Sequence, residues 1–188
     1  DLINGFRTRL EGVAIADMLN ARMFFEDAEG NVLSTESISS SSNPVIYDSQ
    51  HIRYVDAFSG VNIDMKLSAN SRKMNYVIPN EGFLDLIPSG TEYLVFEEYF
   101  TMEEGAYALQ VDEEILFIRE SDDKEIGRVM TPSLGDLKST SQIEFNPNDM
   151  ARGDDDLPII DYLLSEVNGM YKLQLRVGIN WVQSENRI

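Results

Sequence analysis

A two-residue period governs this chain. In "YKLQLRVGINW", residues 171 to 181, Tyr171, Leu173, Leu175, Val177, Ile179 and Trp181 alternate with Lys172, Gln174, Arg176 and Asn180. Successive side chains of a strand point to opposite faces, so this run has one apolar and one polar face and predicts a half-buried strand. "VNIDMKL", residues 61 to 67, has the same form, with Val61, Ile63, Met65 and Leu67 on one side. The runs "NARMFFED", "PVIYD", "HIRYVDA", "MNYVIP", "TEYLVFEEYF", "YALQVD", "EILFIRE", "EIGRVM" and "SQIEF" are further strands, each bounded by Gly, Asn, Asp, Ser or Pro. Short strands at about ten-residue spacing predict an all-β fold, an antiparallel β-sandwich of jelly-roll-like form with one or two short helices.

Turn chemistry supports antiparallel neighbours. Gly30-Asn31 in "EDAEGNVL" and Asp122-Asp123-Lys124 in "RESDDKEIG" each lie between two strand-like runs and read as hairpin tips. "STESISSSSNPV", residues 34 to 45, reads as a Ser-rich loop and a protease target. Helix is expected in "PIIDYLLSEV", residues 158 to 167, where Ile159, Tyr162, Leu163 and Val167 follow Pro158 at helical spacing. "VAIADMLNARM" fits either period. No internal repeat stands out, and 188 residues with 43% hydrophobic content suit one β domain spanning residues 1 to 188. Asp1 in place of Met, and an end just after a strand-like run, are expected of a piece excised from a longer chain.

Charge narrows the partners. With 33 acidic and 15 basic residues the formal net charge is -18, which repels phosphate backbones and anionic lipid, so nucleic acid is not an expected partner. No apolar run approaches the roughly 20 residues of a bilayer span, so no membrane insertion is expected. The absence of cysteine rules out disulfides, thiolate catalysis and Cys-ligated zinc. An acidic surface attracts hard cations, which take oxygen ligands.

At "HIRYVDAFSGVNIDMKLSANSRKMNYVIP", residues 51 to 79, the order of elements resembles the β domain that precedes the YD-repeat shell of RHS and wall-associated proteins, a class of large secreted bacterial proteins. Tyr54, Asp56, Phe58 and Gly60 match that family's Tyr-containing strand and turn, Ile63-Asp64 stand near its Asp-Leu pair, and Lys73 begins the strand after its hairpin. Ser59, Met65-Lys66 and Met74 depart from its pattern of Pro, an aromatic and an acidic residue. "EEILFIRESDDKEIGRVMTPSLGD", residues 113 to 136, is similar to a strand–hairpin–strand segment closed by Pro132 and Asp136, and "MYKLQLRVGINWVQSENRI" resembles the closing strand without its exit motif. The resemblance covers about two thirds of the chain. It implies a non-catalytic extracellular or cell-surface domain that serves structure, adhesion or delivery, and it carries over no catalytic residue.

Residue chemistry supplies two candidate sites. "NPNDMARGDDDLP", residues 146 to 158, offers Asn148, Asp149, Asp154, Asp155 and Asp156 as oxygen ligands with Gly153 as a bend, so calcium is the one expected cofactor, although the ligand spacing of an EF-hand is absent. The Arg152-Gly153-Asp154 triplet within it is read as incidental. "FEEYFTMEEG" interleaves Glu97, Glu98, Glu103 and Glu104 with Tyr99 and Phe100. Aromatic rings stack on pyranose faces while carboxylates bind hydroxyls, so Tyr99, Phe100, Glu97 and Glu98 form a candidate glycan platform, of which only an outward-facing subset is free to bind. The same carboxylates are candidates for glycoside hydrolysis if a pair flanks a cleft, while a charged edge hairpin explains them as well. His51, the sole histidine, reads as a surface or hydrogen-bonded residue, Trp181 as packed between sheets, and the methionines as core filler. The expected function is a non-enzymatic structural or adhesive module, secreted or at the cell surface, that contacts flanking domains or other copies, with carbohydrate binding as the alternative and a carboxylate-dependent glycosidase behind it.

Overall fold

The structure, a computed structural model, describes residues 5–39, 42, 44–68, 71–79, 81–130, 132 and 160–183. Among them the strands are β1 (Phe6–Leu10), β2 (Val13–Glu26), β3 (Val32–Ser37), β4 (Pro44–Ile46), β5 (His51–Phe58), β6 (Val61–Leu67), β7 (Arg72–Val77), β8 (Tyr93–Met102), β9 (Ala106–Val111), β10 (Glu114–Arg119), β11 (Lys124–Val129), β12 (Ile160–Val167) and β13 (Met170–Gly178). One 3-10 helix, Glu81–Leu86, and one α-helical turn, α1 (Ile179–Val182), complete the elements. The expected all-β, antiparallel sandwich-like fold is what the chain adopts, and every strand pairing among the described residues is antiparallel.

Three sheets form. The large one runs β1-β2-β8-β13-β12, with β3 also on β2; the small ones run β4-β5-β6-β7 and β11-β10-β9. β1 pairs with residues 13 to 17 of β2 and β3 with residues 22 to 26, so the two lie end to end along one edge. Both small sheets pack on the same face of the large sheet. The first core joins Met23, Phe25, Leu94, Phe96 and Val177 of the large sheet to Tyr54, Phe58, Val61, Ile63 and Met65 of the four-stranded sheet, with Phe83 from the 3-10 helix. The second joins Ile15, Phe100 and Leu173 to Ile115, Phe117 and Ile126 of the three-stranded sheet.

Strand β2 serves both cores because it is bent. Its register against β8 shifts between Ala16 and Leu19 and again between Leu19 and Arg22, where Met18 and Asn20 take φ of 57° and 50°. Such bulges re-aim side chains without ending the strand. The inward set therefore begins as Ile15 and Asp17, gains Met18, and continues as Ala21, Met23 and Phe25. β8 needs no bulge: Leu94 and Phe96 enter the first core and Phe100 the second.

Four expectations change. "PIIDYLLSEV" is not a helix: residues 160 to 167 form β12, which pairs with β13 from Ile160↔Val177 to Val167↔Met170. The cause lies just downstream, where Asn168 and Gly169 have φ of 53° and 76°, the both-positive pair of a tight hairpin turn whose twist matches the flanking strands. "FEEYFTMEEG" does not form an edge hairpin, because β8 lies between β2 and β13. Residues 34 to 37 of the Ser-rich stretch belong to β3. Strand β13 stops at Gly178, so Trp181 sits in α1, partly buried against the first core. Residues 141 to 145 and the acidic stretch 146 to 158 lie outside the described residues. Among the described residues, no helix is long and apolar enough to cross a membrane.

Candidate functional site

Alternation along β8 divides the candidate platform. Glu97 and Tyr99 face outward and Glu98 and Phe100 inward, as their cross-strand partners confirm: Glu97 lies opposite Arg22 and Gln174, and Glu98 opposite Leu173. Phe100 is 2% exposed and belongs to the second core. The four residues therefore do not share a face, and adjacent Glu97 and Glu98 cannot flank one bond.

The outward face carries a packed polar row. The Glu97 side chain is fully covered and accepts from Arg22 Nε at 2.6 Å and Gln174 Nε2 at 2.7 Å. Arg22 also lies over the Phe24 ring at 5.1 Å. Along the same face Arg176 donates to Glu26 at 2.9 Å and sits 4.1 Å over the Tyr93 ring. Arg176 Nε and Oδ1 of its cross-strand neighbour Asp161 are shut from solvent with no hydrogen-bond partner. Tyr99, half-buried, is the outward aromatic of the expected set, and burial is the main cause holding its hydroxyl pKa up, with Glu97 adding to it.

The inward face holds a polar seam between the two cores. Asp17 from β2 and Glu98 from β8 face Arg72 and Tyr76 from β7 and Tyr162 from β12. Arg72 grips Asp17 with two hydrogen bonds, 3.0 and 2.5 Å, and lies 5.4 Å over the Phe6 ring. Tyr76 stacks on Phe96 at 3.9 Å. Glu98 Oε2 is closed to solvent and has no hydrogen-bond partner. Burial, then the Asp17 charge, push the Glu98 carboxyl up to about 8, against the pull of Arg72. Burial, then Glu98, push the Tyr162 hydroxyl up to about 12. Burial alone would pull Arg72 down, but the hydrogen bond and charge of Asp17, with Glu98, leave it raised. One guanidinium thus stands between two carboxylates, and the carboxylate it does not hold stays protonated at neutral pH.

Sequence reading placed Glu98 in a candidate site but missed Asp17, Arg72, Tyr76 and Tyr162, which come from three other strands. The signal for Asp17 was an acidic residue inside the apolar run "VAIADMLNARM". His51 begins β5, stacks on Tyr47 at 4.8 Å, and leaves Nε2 3.9 Å from Asp64 without a hydrogen bond. Asp64 is already held by Arg53 at 2.5 and 2.6 Å. Glu103 and Glu104 line an open depression of about 580 Å³ with Arg119 and Glu120. No protein-family model, curated protein or solved structure matches this chain. Among the described residues no group of three or more acidic or histidine side chains is placed to hold a metal; Asn148, Asp149, Asp154, Asp155 and Asp156 lie outside them.

Proposed function

We propose that this domain is a non-catalytic structural or adhesive module of a secreted or cell-surface bacterial protein, of the kind that precedes the YD-repeat shell of RHS-like proteins. It contacts flanking domains or other copies through its sheet edges. The observation that supports this reading is the edge strand β4, where Val45 and Ile46 are 43% and 68% exposed and are followed by Tyr47, 54% exposed. Tyr47 N–H bonds the His51 carbonyl across the β5 hairpin. By antiparallel alternation Ile46 then turns its own N–H and C=O to the open side, a template for an added strand. Pro44 has no N–H to offer, which limits the template to the Ile46 end. Sedimentation of the wild-type chain against Ile46→Lys tests it: association that grows with concentration and disappears in the variant is expected, and equal behaviour of the two refutes the edge contact.

Calcium at Asn148, Asp149, Asp154, Asp155 and Asp156 is retained as the cofactor in this reading. A thermal melt with calcium and with chelator should separate by several degrees, and coincident midpoints remove the metal. Carbohydrate binding is the second reading. It is favoured by Tyr99, which faces outward beside the partly exposed Arg22 on one sheet face and so sets a ring next to a hydrogen-bonding group. A glycan array comparing wild type with Tyr99→Ala distinguishes it from the first, since only glycan binding makes the signal depend on Tyr99.

A further inference from the structure

The polar seam has a geometry that neither structural packing nor surface adhesion requires. It lies where two separate cores abut on one sheet, Leu94 and Phe96 on one side of Glu98 along β8, Phe100 on the other. The charged and titratable groups facing Glu98 are Asp17 from β2, Arg72 and Tyr76 from β7, and Tyr162 from β12. From β13 it meets Leu173, its cross-strand neighbour. Only one of these groups is a cation, and each of its two terminal nitrogens donates to Asp17.

We propose that Glu98 is a proton-operated latch. With its carboxyl neutral, Arg72 remains committed to Asp17 and the four-stranded sheet is tied to the large one. Loss of the proton sets two carboxylates against one guanidinium, so Arg72 is shared, water is drawn to Oε2, and the seam loosens. A carboxylate oxygen that is closed to solvent and has no hydrogen-bond partner, as Glu98 Oε2 is, is costly once charged, and the nearest relief is to open a path for water to it or to take Arg72 from Asp17. Because the seam lies at the border between the two clusters, it can open there while the buried residues of each cluster stay packed. The carboxyl's upward displacement to about 8 places the transition at mildly alkaline pH, where Tyr76 and Tyr162, both held above their ordinary range, remain protonated and add no charge.

Hydrogen exchange read by mass spectrometry tests the latch. After correction for intrinsic rates, amides of β7 and β12 should exchange on the order of tenfold faster at about pH 9 than at about pH 6.5, while β10 and β5 are unchanged. Glu98→Gln, which keeps the shape of the neutral acid, should hold the slow rates at both pH values. Equal protection at both pH values in the wild type, or the same loosening in the variant, overturns the proposal. A second measurement needs no variant. The Glu98 side-chain carbon, followed by NMR in the wild-type chain, should titrate near pH 8 together with shifts at Tyr76 and Tyr162, and a midpoint in the ordinary carboxylate range overturns it as well.

Discussion

Replacing Glu98 by Gln should stabilise the domain at alkaline pH and leave it nearly unchanged in acid. The carboxyl moves from an ordinary value of 4.5 to about 8 on folding, so between those values the folded state holds a proton that the unfolded state has released. Stability of the wild type must therefore fall as pH rises through that window and level off above it, the reverse of an ion-paired carboxylate. At about 1.4 kcal/mol per pH unit the ceiling on this loss is about 5 kcal/mol. Water reaching the half-buried residue and sharing of Arg72 reduce it, and about 2 kcal/mol is the expected gain of the variant near pH 9. Urea unfolding of both proteins from about pH 5 to about pH 9 measures it, because carboxylates outside the seam titrate alike in the two and cancel in the difference. A difference that stays constant across the range refutes the reasoning, since it would mean that Glu98 carries the same charge folded and unfolded. This test reads the proton that Glu98 holds in the folded state, while hydrogen exchange reads whether the seam opens.

Three further outcomes follow from the packing. Phe58, 1% exposed and tilted against Phe96 at 6.1 Å, should lose about 3–5 kcal/mol on Phe58→Ala, seen as a fall in urea midpoint without a change in slope. Gly60 turns β5 into β6 with φ of 69°, and an added Cβ would stand 3.2 Å from the Phe83 ring; Gly60→Ala should cost about 1–2 kcal/mol or more, measured the same way. Gln110 on β9 acts as a short stretch of strand for the outer edge of β12, donating to the Tyr162 carbonyl at 2.7 Å and accepting from Leu164 N–H at 2.9 Å. Gln110→Ala should cost about 1 kcal/mol and raise the tendency to associate, detected by light scattering, because it uncovers an edge.

Local pattern carried the strand content a long way. Alternation in residues 171 to 177 specified both the strand and its buried face, because a pleat allows only two directions for a side chain. Residues 61 to 67 form the expected strand but not the expected half-buried one: Asn62 and Asp64 are buried along with Val61, Ile63 and Met65, and Leu67 is 40% exposed. Gly30 and Asp122–Lys124 marked hairpins that form, the first organised by Asp27, which accepts from Glu29 and Asn31 N–H at 3.0 and 2.8 Å. The misread segment, residues 160 to 167, has apolar residues compatible with either period, and the neighbouring Asn168-Gly169 hairpin signal outweighed a proline at the start.

What the sequence determined by itself is an acidic antiparallel β domain and the face on which most strand residues lie. What only the tertiary structure decided is which strands share a sheet and which distant polar residues meet. Residues 17, 72, 98 and 162 are brought together by two bulges in β2 and by two small sheets packing on one face. Neither is encoded in a local period, since bulge position and sheet order follow from the fit of whole layers rather than from neighbouring residues. The raised pKa of Glu98 belongs to that second category: its neighbour Glu97, the same residue type one position away, accepts hydrogen bonds from Arg22 and Gln174 on the opposite face, and only the fold decides that Glu98 Oε2 is left without a partner.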